Sequence, residues 1–171
     1  MTALAPGAAE VPGAVGGQEL RQLMRRWATG AAVVTGGSPA EPVGCTVNAL
    51  TSVSLDPPLL LISLASSSNT LAGVLRHGSF AVNVLAWRQR WLASRFAAVG
   101  DRFAGVDYRL VHGVPVLTGT VAAAVCRVVR TVTVADHVLV LGSPHWSRRA
   151  EDAAPVVLLD GEYGTAGPGR A

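Results

Sequence analysis

Short hydroxyl and amide side chains recur along Val43-Gly-Cys-Thr-Val-Asn-Ala-Leu-Thr-Ser-Val-Ser-Leu-Asp-Pro-Pro58, at Thr46, Asn48, Thr51, Ser52 and Ser54. Two adjacent prolines then lock the backbone. A row of small donors and acceptors on strand edges suits a flat, heteroatom-rich ligand, gripped along its rim rather than in a deep charged pocket. The same pattern also fits an ordinary Thr/Ser-rich strand face turned to solvent. A second cluster, Ser66-Ser-Ser-Asn-Thr70, opens a helical stretch. Hydroxyls and free backbone N–H groups at a helix start make an anion site suited to phosphate. Plain N-capping explains one or two of those residues, but not the whole run.

The third candidate is Asp136-His137, between two apolar runs. An imidazole there can orient a cofactor by a hydrogen bond, stand near its redox centre, or simply close a strand end. His77, His112 and His145 sit beside Gly or Pro in expected turns and share no metal-ligand spacing with His137. No metal site is expected. Cys45 and Cys126 lack CxxC spacing and read as small buried hydrophobes. There is no GxGxxG after a strand, no Walker motif and no GxSxG elbow. A nicotinamide cofactor, if used, is therefore not held by a Rossmann domain.

The elements that position these groups follow from periodicity. Leu20, Leu23, Met24 and Trp27 fall on one helical face of Gly17 to Trp27, predicting a short amphipathic helix that ends near Thr29-Gly30. Strands are expected at Ala31–Thr35 and Val43–Ala49 as a loose hairpin, and at Leu50–Leu55. Leu59–Leu64 reads as a strand buried on both faces. Asn69–His77 reads as a helix with Ser68 or Asn69 as N-cap and Gly78 past its end. Phe80–Leu85 is a strand, and Arg88–Val99 a helix with Trp91, Leu92 and Phe96 on one side. Strands follow at Thr120–Val129, Thr131–Val134, His137–Leu141 and Val156–Leu159. Short strands, Gly/Pro turns and two or three helices predict a mainly β closed barrel with peripheral helices.

At 171 residues, half of them hydrophobic and 15% charged, the chain has length and apolar content for a single core. An Ala/Gly/Pro-rich leader over residues 1–17 and a tail over 164–171 are expected to be disordered, leaving one domain over 18–163. No run approaches the roughly 20 apolar residues of a membrane span, and no secretory signal is visible. The expectation is a cytoplasmic protein without a membrane partner. Net charge is +3, but the basic residues are all Arg and scattered in twos and threes, with few aromatics between them. Nucleic acid is not an expected partner.

Taken together, these residues resemble the short-chain flavin reductases of two-component monooxygenases. The resemblance runs from about Leu20 to Tyr163. It is carried by Trp27-Ala-Thr-Gly30, Ala32-Val-Val-Thr35, Gly44-Cys-Thr-Val-Asn48 and Ser52-Val-Ser-Leu-Asp-Pro-Pro58. Ser67-Ser-Asn-Thr70, Phe80–Leu85, Arg95-Phe96 and Asp136-His137 continue it in order.

The resemblance implies an FMN-binding split β-barrel of Greek-key type, a homodimer, binding FMN or FAD and using NADH or NADPH. It places Gly44, Cys45, Thr46, Val47 and Asn48 along the isoalloxazine, with Ser63 and Ala65 on the strand beneath. Ser67, Ser68, Asn69 and Thr70 would hold the phosphate, and Ser94, Arg95 and Phe96 would close over it. His137 would contact the nicotinamide, with Tyr163 near the same place.

The expected activity is NAD(P)H-dependent reduction of FMN or FAD for a partner monooxygenase or halogenase, in a setting such as bacterial secondary metabolism. Two departures fall on the nicotinamide side: Ala135 where the family usually has Gly, and Pro155–Asp160 where it commonly has a Pro-Leu-aromatic strand. Two rival readings remain at this stage. One is a flavin-binding enzyme acting directly on a bound organic substrate. The other is a non-catalytic module holding flavin or haem.

Overall fold

The computed structural model describes residues 13–151 and 153–167. The expected disorder of residues 1–12 and 168–171 lies outside the described residues.

Helix α1 (Gly17–Arg25) leads into β1 (Thr29–Gly30), β2 (Ala32–Gly37), β3 (Pro42–Val47), β4 (Leu50–Leu55) and β5 (Pro58–Ala65). Helix α2 (Asn69–His77) and β6 (Ser79–Val84) follow, then a short 3₁₀ turn at Trp87–Gln89 and helix α3 (Arg90–Ala97). The chain ends with β7 (Tyr108–Val111), β8 (Val114–Leu117), β9 (Ala122–Val134), β10 (His137–Arg149), β11 (Val156–Leu159) and β12 (Glu162–Thr165).

Seven strands form the main sheet in the order β3-β2-β6-β9-β10-β5-β4. Its two end strands, β3 and β4, are separated in the chain by Asn48 and Ala49 alone. That link reaches only roughly 10 Å even when extended, so the sheet must curl until its ends approach. A hydrogen bond from the Ser63 N–H to the Ala49 carbonyl (3.2 Å) helps to hold them there. Among the described residues β3 pairs only with β2, so the barrel is split between β3 and β5.

Inside the curl, Phe80, Ile62, Leu64, Val34, Val74 and Val140 pack together. The Phe80 ring occupies the space that Gly142 leaves open, since a Cβ on Gly142 would come 2.5 Å from Phe80 Cζ. A second cluster centres on Phe96, Leu85, Leu92 and Leu117 beneath α3. Between them, the buried Asn83 amide donates to the Val33 carbonyl and Thr35 Oγ1 and accepts from the Leu117 N–H. Those bonds satisfy a buried amide and tie β2, β6 and β8 in register.

Several expectations are corrected. The runs read as Thr120–Val129 and Thr131–Val134 form one 13-residue strand, β9, and β10 runs on past Leu141 to Arg149. Strand β12 includes Gly164 and Thr165, paired with Val157 and Val156, so the expected disordered tail begins inside a sheet. Strand β5 is not buried on both faces: Ile62 and Leu64 are buried, while Leu59, Leu60 and Leu61 are half-exposed. In α3 the buried residues are Leu92, Ala93 and Phe96, and Trp91 faces solvent. The apolar stripe of α1 has the expected period, yet Leu20, Leu23 and Met24 are all exposed. What holds α1 is polar: Arg25 and Arg26 reach Asp160 in the β11–β12 turn. No helix among the described residues is long and apolar enough to cross a membrane.

Candidate active site

Pairing of β10 with β5 sets His137 opposite Ala65, so the imidazole stands at the end of the strand carrying Ser63. Across the split, β3 presents Cys45, Thr46 and Val47, and its exit turn presents Asn48. These groups enclose a cleft of about 310 Å³, bordered by Ser63, Ala65, Ser68 and His137. A second cleft of about 550 Å³ continues from it, with Cys45 and Ser68 common to both walls. Gly44, Ser67, Asn69 and Thr70 line this second part, together with Arg102 and Phe103.

The second cleft carries the groups that could bind an anion. Ser68 is the N-cap of α2, its Oγ accepting from the Thr70 and Leu71 N–H groups. That leaves the Asn69 N–H of the first turn for a ligand, at the positive end of the helix dipole. Opposite stands Arg102, its Nη1 bonded to the Gly44 carbonyl and its Nε to the Ala98 carbonyl, both at 2.7 Å. Arg102 was not visible in the sequence as a site residue. Its only signal is a cation in the Gly100-Asp-Arg-Phe103 loop that follows α3.

Other candidates are placed differently from expectation. Phe96 is fully buried, packed edge-on against Phe103 and beneath Gly44, so it supports the cleft floor instead of covering a phosphate. Arg95 does not border the cleft either. Its guanidinium binds the carbonyls of Arg102 (2.9 Å) and Ala104 (2.5 Å), clamping the loop that presents Arg102. Ser94 is exposed on α3, outside both cleft walls. Tyr163 lies on β12, packed against the Phe96 cluster, and its partial burial raises its phenol pKa. It is not among the residues around His137. Thr46 lines the cleft, but its hydroxyl is committed to the Ala93 carbonyl at 2.7 Å. Thr51 and Ser52 border a separate groove beside Leu50 and Leu60.

The electrostatics are mild around the ring-sized cleft. His137 Nδ1 lies 2.8 Å from Asp136 Oδ1. An ionised carboxylate only accepts, so Nδ1 carries the proton and Nε2 is left for a ligand. The same hydrogen bond holds the Asp136 carboxyl below its usual range. Burial pushes the Cys45 thiol up, against a hydrogen bond to Thr70 and the Arg102 charge. Cys126, in the core, is pushed up to about 12 by burial, consistent with its reading as a small hydrophobe.

The split barrel thus places a cleft lined by short side chains beside a second cleft with a helix N-terminus and an arginine. The chain belongs to the flavin reductase-like family; the family model described as "Flavin reductase like domain" matches residues 24–167. It is 36% identical over 155 residues to an FMN reductase (NADH), SmoA, of Agrobacterium fabrum, covering 90% of this chain and 88% of that one. A probable flavin reductase of Rhizobium meliloti is 43% identical over 126 residues, but this chain spans only 40% of its length. Among solved structures, BorF, the flavin reductase component of a bacterial two-component tryptophan halogenase, superposes with a TM-score of 0.80 at 29% identity. That match covers 88% of this chain and 98% of BorF.

Proposed function

We propose that this protein is an NAD(P)H-dependent flavin reductase that supplies reduced FMN or FAD to a partner monooxygenase or halogenase. The observation that carries the reading is the pair of adjoining clefts between His137 and Arg102, with Cys45 and the α2 N-cap Ser68 lining both. The donor set fits the group: short side chains line a cleft of about 310 Å³, then come a helix N-terminus and a guanidinium for a phosphate. A flavin held by these residues would supply the two-electron chemistry. The chain itself has to bind, orient and shield. Gly44 to Asn48 and Ser63 to Ala65 hold the ring from its two sides. Ser67 to Thr70 and Arg102 anchor the phosphate. His137, with Nδ1 tied to Asp136, turns Nε2 toward the nicotinamide.

The functional unit is a homodimer. Support comes from a largely apolar groove of about 720 Å³, lined by Leu50, Leu60, Val82, Val84 and Ala124 and rimmed by Arg148. Half-exposed leucines on β4 and β5, at one end of the sheet, are what a second copy would cover. Sedimentation at micromolar concentration is expected to show a dimer, and a Leu60→Glu variant a monomer.

Purified protein mixed with FMN or FAD and NADH or NADPH is expected to oxidise the nicotinamide steadily, followed by its absorbance. Bound flavin without turnover would sink the reductase reading. Replacing His137 by Ala is expected to slow turnover while sparing flavin affinity; an unchanged rate would remove His137 from the reaction.

A further inference from the structure

We propose that Asp101 sets how loosely the site holds the phosphate of its ligand, its carboxylate opposing the anion that Arg102 attracts. The proposal rests on the flavin reading above and deepens it.

The two adjoining clefts form a trough, and Asp101 and Arg102 stand side by side in the wall of its phosphate end. Among the described residues lining that end, these two alone carry charged side chains, and their formal charges cancel. The pull on an anion then comes from the first turn of α2 and from the Arg102 N–H groups that the Gly44 and Ala98 carbonyls leave free. A phosphate monoester carries about 1.5 to 2 negative charges at pH 7. It meets one cation and, next to it, one carboxylate.

Asp101 also has a local task. Its Oδ1 accepts from the Phe103 and Ala104 N–H groups, at 3.0 and 3.1 Å, and so fixes the turn that carries Arg102. That task needs an oxygen and not a charge, so it does not account for an acid at this position. Nor is the charge spent on a partner. The carboxylate forms no ion pair among the described residues. Arg95 binds main-chain oxygens of the loop, that of Asp101 included (3.4 Å), and not the carboxylate. The side chain is exposed, so its charge acts through solvent, weakly and in a salt-dependent way. On the reading above the flavin is passed on, and a weak opposing charge suits that use. It shortens the stay of a phosphate-bearing flavin and leaves the ring cleft as it is.

The test is a titration of the whole chain, freed of cofactor, with FMN and with riboflavin, read by flavin fluorescence. Asp101→Asn keeps the capping oxygen and removes the charge. It is expected to bind FMN about twofold to fivefold more tightly at low salt, the worth of one exposed charge contact. Riboflavin has no phosphate and is expected to bind both proteins equally, which also reports that the trough has kept its fold. The gain for FMN is expected to vanish in about 1 M salt, where the Debye length falls to about 3 Å. Asp101→Glu keeps the charge and is expected to show no gain. Unchanged or weaker FMN binding by Asp101→Asn would overturn the proposal, as would an equal gain for riboflavin or a gain that survives high salt. Failure of the unaltered protein to bind any flavin would overturn the flavin reading as well, so the two failures are distinguishable.

Discussion

Phe96 lies directly beneath Gly44: a methyl group on Gly44 would come within 2.8 Å of Phe96 Cε1 and 3.0 Å of the Val34 carbonyl oxygen. The cleft floor is thus a glycine pressed on an aromatic ring that cannot move far within the core. Gly44→Ala is expected to cost about 1–3 kcal/mol, the usual range for overpacking. It should also lower flavin affinity, because β3 must shift outward into the trough. Denaturant melts check the first effect. Adding Phe96→Leu should recover most of the stability; no recovery would show that the Val34 carbonyl is the harder obstacle.

Arg102 reaches two carbonyls while facing the anion cleft, so its removal should act on phosphate and on loop order together. Arg102→Ala is expected to weaken FMN binding by roughly tenfold or more, the lower end for a hydrogen bond to a charged group. Riboflavin, which has no phosphate, should lose much less. Arg102→Lys is not expected to restore binding, because a single ammonium cannot reproduce the forked contacts to Gly44 and Ala98. Parallel titrations with the two flavins give the answer.

Ala135 stands in the turn between β9 and β10 with φ of 50°, in the left-handed region. A non-glycine residue there costs roughly 1–2 kcal/mol, while glycine returns about 0.5–1 kcal/mol of that as unfolded-chain entropy. Ala135→Gly should therefore raise stability by about 0.5–1 kcal/mol, measured as a shift in the unfolding midpoint. A fall in stability would mean that the Ala135 methyl group makes a contact worth more than the strain.

The α1 latch should respond to acid. A hydrogen bond from Arg25, with Arg26 nearby, keeps the Asp160 carboxyl below its ordinary range. A depressed folded-state pKa means that the contribution is complete above the unfolded value, near pH 4. It is lost as pH falls through the folded-state value. Hydrogen exchange of α1 is expected to accelerate over that window, before the barrel unfolds. Asp160→Asn should show the faster exchange already at neutral pH. Equal exchange in both proteins at neutral pH would show that the latch does not hold α1.

Much of this architecture was legible because it rests on local chemistry. Helix α2 could be read end to end, since Ser68 supplies a capping oxygen and Gly78 adopts the left-handed conformation that ends a helix. Strand β10 could not, because Gly142 and Pro144 read as breakers. In the structure both stand at shifts in the β9–β10 register, where a long paired strand tolerates them. The period of α1 was legible and its burial was not, because nothing in a single helix says whether its apolar face is covered. In the site, Gly44 to Asn48, Ser63, Ala65, His137 and Ser67 to Thr70 were brought to one trough. Arg95 and Phe96 were found near it, but as supports for the loop and the floor. Arg102 escaped notice because a loop cation has no period to betray it.

The split between β3 and β5 bears on how a ligand would enter and leave the fold. A fully hydrogen-bonded barrel would have to break backbone pairing each time a ligand wedged between its strands departed. Among the described residues no ladder closes the seam, so a ligand could arrive or depart there with every ladder intact. Exchange then costs only the ligand's own contacts. Such a seam can trade hold for speed by altering a few side chains along it, without reopening the question of how the chain folds.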